Sequence, residues 1–277
     1  MLRKIQKKLV TKKDQLEMQL YKSFNVLTRQ SSYENIYHCC SQKTASQWFK
    51  AVFYDLTFYK YTRLNVLPFS QLGNPNEFTF NEPFAKNAIV THLFIGYSSY
   101  LSIPKPDKYK TFFVLRDPRD IVVSWYFSTK NSHAPIGKLS ERRKELQNLS
   151  LSEGLKYTID ILEKGTFESQ RAWMQASKQQ QDIKIFRYED LAHTHQSFLI
   201  QLFDYLDIVI PNKEFTALCE RHKYESYSKG RNQGSENINA HYRKGIAGDW
   251  ENYFDHSTTV YFKEVAKDLL EVLEYQD

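Results

Sequence analysis

Residues 111–128 read TFFVLRDPRDIVVSWYFS. The apolar run Phe112–Leu115 predicts a short buried strand, and apolar side chains recur at helical spacing over residues 121–126. Between them lies the polar turn 116–120, in which Pro118 suits the first turn of a helix because its missing N–H needs no partner there. The sequence therefore predicts a strand, a sharp loop and an amphipathic helix.

The turn of this unit is a candidate anion site. It places Arg116 and a helix N-terminus at the carboxyl end of a strand, where ligands collect in open α/β sheets. The hydroxyl of Ser124, within the helix, could reach the same anion. The alternative for this stretch alone is an arginine in an ordinary surface salt bridge.

A second unit of the same kind precedes it. Residues 35–40 predict a strand, and the apolar spacing of residues 48–56 predicts a helix. The loop between them offers a lysine, hydroxyls and backbone N–H groups that could cradle a phosphate, centred on Lys43, Thr44 and Ser46. It is not a Walker A loop, since it contains no glycine; the alternative is an ordinary strand–helix turn.

Two further segments attract attention. Residues 88–93 predict a strand that carries His92 near its end, and a lone histidine there is more often structural than catalytic. Near the end of the chain, Arg243 and Lys244 precede Gly245 and Gly248, which allow the backbone to pass close to a ligand. Three separate basic loops suggest a ligand with more than one phosphate-like group.

Composition limits the class of protein. The chain has 277 residues, 41% hydrophobic and 15% aromatic, which is ample for a packed core. Its net charge of +6 comes from six basic residues among the first 13, and without them 32 basic residues face 32 acidic ones. We therefore expect no nucleic-acid partner. The first 30 residues predict a basic amphipathic helix, either in peripheral contact with an anionic membrane or packed on the domain.

The cysteines and the apolar runs predict a soluble, cytoplasmic protein. Cys39, Cys40 and Cys219 have no metal-type spacing and predict reduced thiols in a cytoplasmic protein. No apolar run approaches the ~18–20 residues needed to span a bilayer, and no apolar segment follows the basic start as in a secretory signal.

The remaining pattern is coarser. Residues 60–87 predict an irregular excursion, residues 130–150 a long exposed connection of the kind that forms lids, and the last 20 residues one helix. Residues 151–162 and 198–206 predict helices, and residues 182–187 predict a strand.

Taken together, the three basic loops and the strand with His92 resemble those of the sulfotransferases that use 3′-phosphoadenosine-5′-phosphosulfate (PAPS). KTASQW at residues 43–48 is similar to the family's 5′-phosphosulfate loop, usually KSGTTW. RDPRDIVVSWY at 116–126 resembles its 3′-phosphate element, and RKGIAGDW at 243–250 resembles the RKGxxGDW loop that closes over the nucleotide. Thr91-His92-Leu93 falls where the family places its catalytic histidine.

The resemblance implies an α/β fold, a single P-loop-NTPase-like domain over residues 31–277 with a central parallel sheet, preceded by the extension 1–30. It implies PAPS as co-substrate, with adenosine 3′,5′-bisphosphate (PAP) as product and no metal. His92 would be the general base, and Lys43 would stabilise the leaving phosphate.

The implied nucleotide contacts fall into three groups. The 5′-phosphate would lie on the loop of Lys43, Thr44, Ala45, Ser46 and Gln47. The 3′-phosphate would be bound by Arg116, Ser124, Arg243, Lys244 and the N–H of Gly245. The base would lie against Trp48, Tyr188 and Tyr227.

Three positions depart from the family pattern. Ala45 replaces a glycine and tightens the approach to the 5′-phosphate. Val90 stands where animal cytosolic members commonly have a lysine. Asp255 replaces the lysine of the dimer motif KxxxTVxxxE, of which Thr259, Val260 and Glu264 remain, so a homodimer is only weakly indicated.

The sequence therefore predicts sulfuryl transfer to a hydroxyl or amine. The acceptor would lie near His92, under Phe94, Tyr97 and residues 130–150; it could be a small molecule, a glycan or a lipid. Two alternatives stay open. One is a kinase-like phosphoryl transferase, although this sequence lacks the GK[ST] motif that such an enzyme would need. The other is a catalytically silent nucleotide-binding module.

Overall fold

A computed structural model of the chain describes residues 30–69, 74–133 and 138–276. The helix predicted for residues 1–30 therefore lies outside the described residues, apart from Gln30. The strands are β1 (Asn35–Cys40), β2 (Asn65–Pro68), β3 (Ala88–Leu93), β4 (Tyr109–Leu115) and β5 (Ile183–Arg187). The α-helices are α1 (Ser46–Phe53), α2 (Leu56–Thr62), α3 (Tyr97–Leu101), α4 (Pro118–Phe127), α5 (Lys138–Asn148), α6 (Leu151–Leu162), α7 (Glu168–Ser177), α8 (Tyr188–His193), α9 (His195–Tyr205), α10 (Asn212–Arg221), α11 (Tyr224–Tyr227), α12 (His256–Ala266) and α13 (Leu269–Val272).

The strands form one sheet in the order β2-β3-β1-β4-β5, and every pairing is parallel. All six residues of β1, the central strand, are buried, as expected when helices cover both faces of a parallel sheet. The predicted α/β fold with a central parallel sheet is confirmed. Because β3, β1 and β4 are neighbours, the loops that follow them emerge at the same edge.

Alternation along β4 builds the core on both faces of the sheet. Phe112 and Val114 face one cluster, which includes the buried side chains of α1 and α9. Phe113 and Leu115 face the other, which includes Trp173 and the apolar face of α4. In the second cluster the Trp173 ring stacks on Phe113 with centroids 4.9 Å apart. The loops at the sheet edge therefore start from fully packed strands.

Three predictions about secondary structure need correction. Residues 60–87 are not wholly irregular, because residues 65–68 form the edge strand β2. The exposed connection predicted for residues 130–150 contains secondary structure, since Lys138–Asn148 form the polar helix α5, in which only Leu146 is buried. The last 20 residues form two helices rather than one, because Lys267 has φ 54° and interrupts the chain between α12 and α13.

Candidate active site

The first basic loop has an unusual backbone. Lys43 and Ala45 both have positive φ, 67° and 61°, and α1 begins at the next residue, Ser46. The Thr44 hydroxyl donates to the main-chain oxygen of Ser41 at 2.8 Å, so that hydroxyl already holds the loop together. A helix start of this kind points its first N–H groups out of the loop, toward an anion. Ser46 and Gln47 supply those groups.

Side chains from three distant parts of the sequence line one small pocket. Lys43 comes from the loop after β1, Ser124 from α4 and Arg243 from the loop before residue 249. Burial, then the charges of Arg116 and Arg243, lower the pKa of the Lys43 ammonium to about 8. An anion in this pocket would offset the repulsion between the Lys43 ammonium and the two guanidinium groups. The pocket therefore suits a phosphate-like group.

Arg116 connects the loops rather than projecting freely. It is 5% exposed, and its guanidinium donates to the main-chain oxygens of Lys43 at 2.8 Å and Ile246 at 3.4 Å. The same group lies 4.0 Å above the centre of the Tyr188 ring. Among the described residues its buried Nε has no hydrogen-bond partner. Arg116 therefore joins the first and third loops and keeps one buried donor unused.

The third loop holds its cations against carboxylates. Arg243 donates to Asp249 and Glu236, and Lys244 donates to Asp249, which is 1% exposed. Gly245 has φ 77°, and a Cβ there would collide with the ring of Tyr224, so glycine is required for both reasons. The loop is thus a tight turn whose two cations are paired with two carboxylates.

Asp120 is a site residue that sequence reasoning missed. It is 1% exposed and accepts the main-chain N–H groups of Gly248 and Trp250, each at 2.9 Å. Its neighbour Arg119 lies 3.9 Å above the Trp250 ring and pairs with Asp117 at 2.8 Å. The start of α4 is therefore attached directly to the third loop. The only sequence signal was the dense run of charges in RDPRD.

The three residues predicted to contact a base lie together at one side of the sheet. Trp48 is 6% exposed, and its indole N–H donates to the main-chain oxygen of His222 at 2.7 Å. Tyr227 hydrogen-bonds to the His222 ring and stacks on Tyr242, with centroids 5.2 Å apart. Tyr188 belongs to the same apolar cluster as Trp48, and Tyr227 packs against that cluster. His222 is a second residue that the sequence analysis missed.

His92 lies near the end of β3, the strand beside β1, and does not line the pocket of Lys43. Burial, then the charge of Lys50, lowers the pKa of His92 to about 4. Its Nδ1 is buried and has no hydrogen-bond partner within the described part of the chain, and its ring lies 4.5 Å from that of Phe94. Val90 is fully buried in the core. Burial and the nearby ammonium thus both favour the neutral form of this histidine.

Three further features concern metals, membranes and assembly. Within residues 30–69, 74–133 and 138–276 no group of three or more His, Cys, Asp or Glu side chains is arranged to hold a metal ion. No helix in the same ranges is long and apolar enough to cross a bilayer. Asp255, at the lysine position of the dimer motif, accepts the N–H of Thr258 at 2.6 Å and so begins α12.

The fold is of the α/β type, and its basic loops meet at one edge of the parallel sheet. Residues 15–274 match the sulfotransferase domain, and the chain belongs to that family. It is 25% identical over 170 residues to mouse sulfotransferase 2A6, covering 58% of this chain and 56% of the relative. It is 24% identical over 174 residues to human sulfotransferase 2A1, covering 57% of each. The chain thus spans little more than half the length of these curated relatives.

Solved structures show the same fold. Mouse sulfotransferase SULT7A1 complexed with PAP matches 88% of this chain and 86% of its own, with a TM-score of 0.57 and 16% identity. A retinol dehydratase in a complex with retinol and PAP matches 88% of this chain and 83% of its own, with a TM-score of 0.53 and 19% identity. At these identities the likeness concerns the fold.

Proposed function

We propose that this chain transfers the sulfuryl group of PAPS to the hydroxyl or amine of an acceptor. The observation that carries the proposal is the pocket in which Lys43, Ser124 and Arg243 meet, since these residues come from the three motifs that resemble the family's nucleotide loops. Family membership and the PAP in the two similar structures support the same co-substrate.

The 3′-phosphate would engage the second and third motifs. Ser124 and Arg243 already face the pocket, and the unused Nε of Arg116 is a further donor nearby. Lys244 and the N–H of Gly245 would complete the site. Asp249 and Glu236 neutralise the cations of this loop. A phosphate would have to compete with Glu236 for Arg243, because both bind the same guanidinium.

The chemistry would need two residues. Neutral His92 would accept the proton of the acceptor hydroxyl as its oxygen attacks sulfur, and the bond from sulfur to the 5′-phosphate oxygen would break in line. The electron pair stays on that oxygen, where the Lys43 ammonium stabilises it. A positioned base contributes on the order of 10²–10⁴ in rate.

For the acceptor we favour a small apolar alcohol. The ring of Phe94 beside His92 gives the base an apolar neighbour. A guinea-pig relative, 25% identical over 175 residues, is named a 3-beta-hydroxysteroid sulfotransferase, and the similar retinol dehydratase holds retinol. Glycan and lipid acceptors, membrane contact through residues 1–30 and a homodimer remain predictions from the sequence.

Calorimetric titration without magnesium tests the nucleotide assignment. We expect PAP to bind tightly and ATP weakly, because only PAP carries a 3′-phosphate for Arg116, Ser124 and Arg243. Equal binding of the two would contradict the assignment and favour the phosphoryl-transferase alternative.

The substitution His92→Ala separates an enzyme from a silent binding module. We expect sulfation of a hydroxysteroid or other alcohol to fall by about 10²–10⁴ while the affinity for PAP is unchanged. Full activity in this variant would remove His92 from the mechanism. A wild-type protein that binds PAP but sulfates no alcohol or amine would favour the silent module.

A further inference from the structure

A buried polar cluster centred on His222 lies behind the proposed adenine site, and His222 has no role in the proposed function. His222 follows α10, is 7% exposed, and places its Nε2 2.9 Å from Oδ2 of Asp55. Its Nδ1 hydrogen-bonds to the hydroxyl of Tyr227. Its main-chain oxygen accepts the indole N–H of Trp48 at 2.7 Å. One residue thus contacts two of the three aromatic side chains that are proposed to lie against the adenine, Trp48 and Tyr227.

The carboxylate fixes which nitrogen of His222 carries the proton. Arg221 binds both oxygens of Asp55, at 2.9 and 2.8 Å, and the N–H of Thr57 donates to it at 2.8 Å. Although burial raises it, the hydrogen bonds from His222, Arg221 and Thr57 hold the pKa of Asp55 well below its usual range. Because this carboxylate only accepts, Nε2 of His222 donates to it.

The consequence is a fixed orientation for Tyr227. Whichever of the two groups donates, the hydrogen bond between Nδ1 of His222 and the Tyr227 hydroxyl fixes the position of that hydroxyl. The tyrosine ring is then held at one end by His222. On one face it stacks on Tyr242 at an interplanar angle of 27°.

The cluster also reaches the phosphate loop. Tyr242 directly precedes Arg243, and its main-chain oxygen accepts the hydroxyl of Tyr224 at 3.0 Å. The Tyr224 ring in turn lies against Gly245. A continuous set of contacts therefore runs from Asp55 through His222 and Tyr227 to the loop that would bind the 3′-phosphate.

We propose that His222, oriented by Asp55, is a positioning residue that holds Tyr227 and Trp48 against the purine and so gives the site its preference for adenine. The inference rests on the proposed function, because it needs PAPS to bind with its phosphates in the pocket of Lys43, Ser124 and Arg243. It assigns His222 no contact with the reacting atoms. Loss of its side chain should therefore raise KM for PAPS and leave kcat unchanged.

The test compares two nucleotides that share both phosphates and differ in the base. We would measure by calorimetry the Kd of adenosine 3′,5′-bisphosphate and of cytidine 3′,5′-bisphosphate. The proteins would be the wild type, His222→Ala, Tyr227→Phe, the double variant and the control His193→Ala, whose histidine is exposed. Tyr227→Phe removes only the hydroxyl, so it keeps the ring and carries the test if His222→Ala does not fold.

We expect each single variant to weaken the adenosine compound about 10-fold, the usual effect of one lost buried hydrogen bond, and to change the cytidine compound by less than about 2-fold. The double variant should be no weaker than the weaker single one, because both remove the same hydrogen bond. The control should match the wild type.

Two results would overturn the inference while leaving the proposed function intact. One is an equal loss for both nucleotides, which would mean that His222 only supports the fold; the other is additive losses in the double variant. A wild-type protein that does not prefer adenosine 3′,5′-bisphosphate to ATP would overturn the proposed function and this inference together.

Discussion

Ala45 directly precedes the first helix of the site and has a backbone conformation, φ 61° and ψ 26°, that glycine adopts without strain. This conformation destabilises the folded state of an L-residue by roughly 1–2 kcal/mol. Glycine avoids that strain, but its greater conformational freedom in the unfolded chain offsets part of the gain. We therefore expect Ala45→Gly to raise the free energy of unfolding by about 0.5–1 kcal/mol. Urea denaturation measures it.

The matched control lies in the same helix. Ala51 is inside α1, where the backbone is right-handed, so Ala51→Gly should lower the free energy of unfolding by about 0.5–1 kcal/mol. Opposite signs for the two substitutions would support the strained loop. A loss of stability in both would contradict it.

The pKa values of two site residues predict a bell-shaped dependence of kcat/KM on pH. The base must be neutral, so activity should fall as pH drops through the pKa of His92, about 4. The Lys43 ammonium must be charged, so activity should fall as pH rises through about 8. The profile of kcat/KM reports these groups in the free enzyme.

The substitution Lys43→Arg checks which residue causes the alkaline fall. A guanidinium does not lose its proton in this range. The variant should therefore keep the acid limb and lose the alkaline one, over the range in which the protein stays folded. An unchanged alkaline limb would assign that titration to another group.

At the scale of elements, α4 and the third loop act as one unit because Asp120 accepts two N–H groups of that loop. Asp120→Asn removes the charge and turns one acceptor into a donor that faces an N–H. We expect the free energy of unfolding to fall by about 1–3 kcal/mol and the affinity for PAP to fall about 10-fold. Denaturation and calorimetry measure these.

The control for this substitution is Asp107→Asn, at an exposed aspartate outside the site. It should change neither quantity. If Asp120→Asn lowered stability without weakening PAP, the contact would support the fold but not the geometry of the nucleotide loops.

Helices and strands were predictable where burial left a regular pattern. The strands β1 and β4 are apolar runs because both faces of the sheet are covered. By contrast, β2 is an edge strand with exposed ends, and α5 buries only Leu146, so neither shows a periodic apolar pattern.

At the scale of the whole molecule, a bound nucleotide should stabilise the entire domain, because its proposed ligands range from Lys43 to Gly245. At a PAP concentration of 100 times Kd the free energy of unfolding should rise by about 2.7 kcal/mol. Chemical denaturation with PAP, beside ATP at the same concentration, measures this. An equal rise with ATP would mean that the 3′-phosphate contributes nothing.

The candidate site was predictable where its residues lie in short motifs, as for Lys43, Ser124 and Arg243, which the fold brings to one pocket. Asp120 and His222 were not predictable, because their partners are distant in sequence. Asp120 accepts from residues 128 and 130 positions further on, and His222 meets Asp55 across 167 positions. The spacing of residues within a short stretch of sequence does not indicate contacts of this kind.

The attachment of Asp120 to residues 248 and 250 also has a consequence for synthesis. A ribosome delivers β1, β3 and β4 with their loops long before it delivers the segment that completes the nucleotide site. A nascent chain that ends before residue 248 would have all five strands of the sheet and no closed pocket. Under the proposed function, PAPS therefore assists no early step of folding, and only chains translated almost to the end of the domain gain stability from it.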